Sequence, residues 1–140
     1  MNPSLQQLAN RVERYLDHIV SHYDKGDGYY RFRYESTALI VVPLQWGEQH
    51  TMVRIAAGVL LEIDPSPLLW ETIARTNKDY LIGKLCYWPE DRSLLYEYFM
   101  LGDYLDEEEL LTALTMVAYT ADHLDDELQK ILGGRRIFDD

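Results

Sequence analysis

One long seam constrains this chain more than any other feature. Leu110, Leu114, Val117, Ala121, Leu124, Leu128 and Ile131 recur alternately four and three residues apart, the spacing that lines side chains along one stripe of a helix. Asp106 stands as its cap, and Glu109 three residues on completes a capping box. Glu107 and Glu108 fall in the first turn, where the helix dipole favours negative charge. Gly133-Gly134 ends the run. The spacing predicts a helix of about 27 residues, roughly 40 Å long. A stripe of that length needs an apolar surface to lie on, so the rest of the chain must provide one.

The remaining elements follow from local chemistry. A first helix is predicted from Pro3 to about Tyr23, capped by Asn2, with Leu5, Leu8, Val12, Tyr15, Leu16, Ile19 and Tyr23 on one face. Asp24-Lys25-Gly26-Asp27-Gly28 breaks it. Three strands are then expected: Tyr29–Tyr34, Thr37–Leu44, and a long one from Gln49 to Ile63 that keeps one phase, with Gly58 as the place for a bend or bulge. Ser66 and Pro67 open a second helix running to Leu81 or Ile82. Strands Lys84–Trp88 and Leu94–Leu101 form a hairpin around Pro89–Ser93. The order is α-β-β-β-α-β-β-α. Short strand-to-strand links imply an antiparallel five-stranded sheet packed with helices, an α+β fold. The expected organisation is one domain over residues 1–134 and a short acidic tail, 135–140, frayed at its end.

A sheet with helices on one side should show polar residues on the other. These strands do so only in part. Leu39 and Val41 oppose Ile40 and Val42, and Leu94, Tyr96, Tyr98 and Met100 oppose Leu95, Phe99 and Leu101, with Glu97 the only charge. The second face therefore asks for a cover. Helix two with the long side chains of Arg54 and Lys84 is one candidate; a second subunit or a bound partner is the other.

Charge and cysteine content exclude several roles. The net charge is −11, and residues 101–140 hold eleven acidic and three basic residues, a net of −8. Such a molecule repels a phosphate backbone or an anionic membrane surface, so neither nucleic acid nor membrane is an expected partner. A single cysteine, Cys86, excludes an intramolecular disulfide and suits a reducing compartment. The first residues lack a signal-peptide pattern, and the longest apolar run, Ala38–Leu44, is too short to span a bilayer. A cytoplasmic setting is expected.

No catalytic constellation stands out. His18 and His22, four apart, have a spacing that can chelate a metal on a helix. They carry the alternative of a metal-dependent enzyme, against which Arg11 and Arg14 on the same flank argue. His50 is isolated, and His123 sits in a hydrated acidic helix face. Cys86, between Leu85 and Tyr87, reads as a packed residue rather than a nucleophile. Tyr29–Tyr34 interleaves aromatics with arginines like an RNA-stacking strand, a role the overall charge opposes. Asn77, near the apolar side of helix two, needs a polar partner and is expected to be structural. No cofactor is expected.

The stretch Leu69-Trp70-Glu71-Thr72-Ile73-Ala74-Arg75-Thr76-Asn77, the following Gly83, the hairpin from Lys84 to Leu101, and the long helix after Asp106 ending in Leu132-Gly133-Gly134 resemble the YbjN family, within the wider fold of type III secretion chaperones. Helix one and the first three strands agree in order, so the resemblance spans nearly the whole chain. It implies a non-enzymatic, acidic protein, a homodimer that holds extended segments of other proteins as a chaperone or regulatory adaptor. The alternative within a non-enzymatic role is a structural subunit of a larger assembly. In the secretion chaperones the second helix and adjacent strand contribute to dimerisation, which would put Trp70, Tyr87 and Trp88 near a subunit interface. Trp88, Tyr96 and Tyr98 are the aromatics expected to provide contact area.

Overall fold

The computed structural model describes residues 3–139. Along the chain run α1 (Pro3–Ile19), β1 (Asp24–Lys25), β2 (Tyr30–Tyr34), β3 (Thr37–Trp46), β4 (His50–Leu60), α2 (Pro67–Asp79), β5 (Lys84–Trp88), β6 (Ser93–Leu101) and α3 (Glu107–Leu132). The strands form one sheet in the order β1-β2-β3-β4-β6-β5, with every neighbouring pair antiparallel. The α+β architecture is the predicted one with a sixth strand. The expected cap, Asn2, lies outside the described residues.

The extra strand arises where α1 stops at Ile19, short of Tyr23. Tyr23 reaches the core from the following loop instead. Its ring meets Tyr30 edge-on at 5.8 Å between centroids, and its hydroxyl donates to Asp17. The chain is thereby turned so that Asp24 and Lys25 pair with Arg31 and Tyr30. Tertiary packing overrides the helical period at this point.

α3 follows the sequence closely. Asp106 Oδ1 accepts from the Glu109 backbone N–H at 2.8 Å, and Gly133 and Gly134 both adopt positive φ, near 77° and 76°, which ends the helix at little steric cost. Leu110, Leu114, Val117, Ala121, Leu124 and Leu128 are buried. Ile131, the last residue of the predicted seam, is 51% exposed and lines an open groove between α3 and α2. The seam and Leu8, Val12 and Leu16 of α1 share one core with Leu39, Val41, Val53, Ile55 and Ala57 of the sheet. The odd-numbered residues of β3 and β4 thus face the helices.

The single phase predicted for Gln49–Ile63 breaks. The β4–β6 register shifts between Gly58 and Leu60, a bulge that turns Leu60 into the core, where it is fully buried.

α2 lies on the helix side of the sheet, along β5. Ser66 caps it by accepting from Leu69 N at 3.1 Å, and Leu69 is fully buried. Asn77 finds its partner at the outer edge of β5: its amide nitrogen donates to Leu85 O at 3.0 Å and its Oδ1 accepts from Leu85 N at 2.6 Å. One side chain thus makes both bonds that a neighbouring strand would make. Since α2 occupies this position, it leaves the second face of the sheet uncovered.

The segment after α3 is docked, which corrects the expected frayed end. Arg135 exchanges both backbone hydrogen bonds with Leu61, at 2.6 and 2.9 Å. Arg136 pairs with Asp126 at 2.8 Å and Asp139 at 3.0 Å. Its two arginines match its two aspartates in number, so it is a neutral strap rather than an acidic tail.

Candidate functional site: the open face of the sheet

Even-numbered residues of β3 and β4 point away from the helices, and the strand registers align them in rungs. Leu44, Met52 and Leu101 form one rung; Val42, Arg54 and Phe99 the next; Ile40, Ala56, Glu97 and Lys84 a third. Ile40, Val42, Leu44 and Met52 are half-buried. Phe99 is 38% exposed and Leu101 71%. Trp46 lies at one end of β3, and Trp88 at the end of β5; both are exposed. A contiguous apolar surface of this kind, with no element of the chain lying over most of it, has the character of an interaction site.

A charged centre is set into this surface. Glu97 is buried, and its Oε2 accepts from Arg54 Nε and Nη2, both at 2.8 Å. Lys84 Nζ lies 3.6 Å from Oε1. The two cations also stack on the aromatics: Arg54 is 5.3 Å from the Trp88 ring centroid and Lys84 is 5.7 Å from that of Phe99. Two cations against one carboxylate give this centre a net positive charge, so the face offers a partner apolar contact around a small cationic patch. Cys86 sits beside it, half-buried and free. Burial, followed by the charge of Glu97, pushes its thiol pKa up, which holds it neutral and unreactive.

The aromatics singled out in the sequence do not form one surface. Trp70 is half exposed on α2 and meets Tyr87 edge-on at 5.6 Å. Tyr87 donates its hydroxyl to Ile63 O at 2.7 Å. Both lie on the helix side of β5, whereas Trp88 belongs to the open face. Tyr96 is 1% exposed; it packs edge-on against Tyr80 at 6.1 Å and has no surface to offer a partner. Its alternation with Glu97 puts it on the core face. Tyr98 lies on that face too, half-buried against the core.

The histidines are dispersed. α1 ends before His22, so His18 and His22 do not share a helix flank. His18 Nδ1 lies 2.7 Å from Glu107 Oε1, tying α1 to the start of α3, and His22 Nε2 lies 3.7 Å from Asp24. His50 pairs with Asp103 at 2.6 Å. Asp103 also accepts from Thr51 N and Oγ1 at 2.8 and 2.7 Å. These hydrogen bonds, that of His50 foremost, hold its carboxyl at about 2. His123 stacks on Tyr119 at 6.2 Å. Arg11 donates to Leu105 O and Gly102 O, both at 2.9 Å, and so pins the loop before α3. Among the described residues no group of three or more His, Cys, Asp or Glu is placed to hold a metal ion, and no helix is long and apolar enough to cross a membrane.

Three helices on one face of an antiparallel sheet, with the other face apolar and open, define a protein of the secretion chaperone-like α+β class, built to bind other chains. The chain belongs to the family described as TY-Chap1, T3SS (YopN, CesT) and YbjN peptide-binding chaperone 1, whose model matches residues 5–140. None of the curated proteins matches it.

Proposed function

We propose that this chaperone holds an extended segment of a partner protein on the open face of its sheet, in a cytoplasmic setting that suits its single free cysteine. The observation that carries the reading is the uncovered apolar face around the Arg54–Glu97–Lys84 centre. Its large residues would bury the apolar side chains of a bound segment, and the cations would meet its carbonyl oxygens or acidic side chains. Binding of labelled short synthetic peptides of varied composition tests it. Leu101→Lys, which puts a charge at the most exposed point of the face, is expected to weaken binding about ten-fold, equivalent to about 1.4 kcal/mol. Leu111→Lys, on the solvent side of α3, is expected to leave it unchanged. Equal effects of the two substitutions, or no binding by the native chain, would defeat the proposal.

We also propose that two copies pair near β5. Trp70 and Trp88 leave large aromatic surfaces exposed on either side of that strand, which supports a contact wrapping its end. Light scattering at micromolar concentration should give twice the chain mass, falling to the single mass in a Trp70→Glu/Trp88→Glu variant.

A further inference from the structure

The open face is not uniform. Toward Val42, Leu44 and Met52 it carries large side chains. Toward the β2–β3 turn it is floored by Ala38, Ala56 and Gly58, and both alanines are buried although no helix lies on this side. Small residues make a hollow, and the strap that follows α3 fills one end of it.

The seating has three parts. Arg135 pairs with Leu61 as a strand residue would, on the line that continues β4. Ile137 lies over Gly58 so closely that a Cβ at position 58 would fall 2.5 Å from its Cδ1; the missing side chain is the space it occupies. Phe138 lies under the guanidinium of Arg33, 4.0 Å from ring centroid to Cζ. Beyond these contacts of Ile137 and Phe138, the polar ties to the rest of the fold are weak in water: one isolated bridge and the ion pairs of Arg135 with Glu62 and Arg136 with Asp126. Phe138 itself remains 39% exposed. A segment held this way is displaceable.

We propose that Arg135–Asp139 is a built-in occupant of the open face, and that the partner segment which displaces it repeats its chemistry: an extended strand carrying an aliphatic side chain for Gly58, followed by an aromatic one for Arg33. This rests on the open face being the binding surface, and it adds the class of segment the hollow accepts and a competition that sets its affinity. A strap closed about nine-tenths of the time lowers apparent affinity about ten-fold.

The test uses the full chain, the same labelled peptides, and a labelled synthetic peptide of residues Gly134–Asp139. The double variant Ile137→Ser/Phe138→Ser frees the hollow. It is expected to bind the synthetic strap peptide, and those library peptides with an aliphatic–aromatic pair, about ten-fold more tightly than the native chain. Adding Gly58→Ala to the double variant should abolish the gain, because the new methyl group fills the seat. In the native chain, saturating peptide should speed amide exchange at Arg135, a readout that holds even if the double variant folds poorly. Equal affinity in the native chain and the folded double variant, or exchange at Arg135 unaltered by bound peptide, would overturn the proposal and leave the open face standing as a binding surface. Library peptides that bind neither form would sink that reading, and this one with it.

Discussion

The two faces of this sheet are made from the same strands and meet opposite fates. On one, Leu39, Val41, Val53, Ile55 and Ala57 are sealed beneath α1 and α3, all of them fully buried. On the other, Ile40, Val42 and Met52 remain half-buried, and Leu101 stands in solvent. Hydropathy hardly distinguishes the two sets. What separates them is the supply of helical stripes: α1 and α3 fill the first face, and α2 is committed to the margin of β5. An apolar sequence therefore builds a core only where an element exists to cover it; elsewhere the same residues are available to another chain.

The sharpest way to break this comparison is truncation on each face. Leu110→Ala, at a fully buried position on α3, is expected to cost about 3 kcal/mol through lost burial and the cavity left behind. Leu101→Ala on the open face should change stability by less than about 0.5 kcal/mol. Chemical denaturation checks both; similar losses would mean that the open face is part of the core.

A smaller effect sharpens it at the seam between the layers. Ser36, in the β2–β3 turn, places its hydroxyl against both Asp122 and Asp125 of α3. One hydroxyl proton serves only one of two carboxylates, so the second faces the hydroxyl oxygen without a donor while it is ionised. Asp125 is 1% exposed and its Oδ1 has no hydrogen-bond partner, so its charged form is poorly compensated. Burial raises its pKa above the ordinary 3.8. For a raised carboxyl, the stabilising contribution is complete below the unfolded value and is lost as pH climbs through the folded one. Asp125→Asn is thus expected to be more stable than the native chain at neutral pH, by about 1 kcal/mol. The advantage should shrink as pH falls toward 3.8. Thermal melts across that range check the sign; a constant difference would show that Asp125 does not titrate in the fold.

Much of this was legible in the residues. The spacing of Leu110 to Leu128, the caps at Ser66 and Asp106, and the alternation in β3 and β6 carry their own periods, and these elements form as read. The apolar second face was legible for the same reason. The end of α1 was not, because Tyr23 satisfies a helical period while packing from a loop. Nor was the core position of Tyr96: alternation pairs residues on one face but does not say which face the helices take. The strap escaped too, although Ile137 and Phe138, adjacent and apolar after a glycine pair, were the signal that the segment docks rather than frays.

The bond pair between Asn77 and Leu85 has a consequence for assembly valence. A sheet with two bare margins can join end to end without limit, each copy accepting one neighbour and donating to another. Here the amide of Asn77 takes the N–H and C=O of Leu85 near the start of β5, while the opposite margin ends in a two-residue strand that leaves Phe32–Tyr34 beyond its pairing. The amide of Asn77 thus removes from the β5 margin one pair of backbone groups that edge-to-edge joining of copies would use.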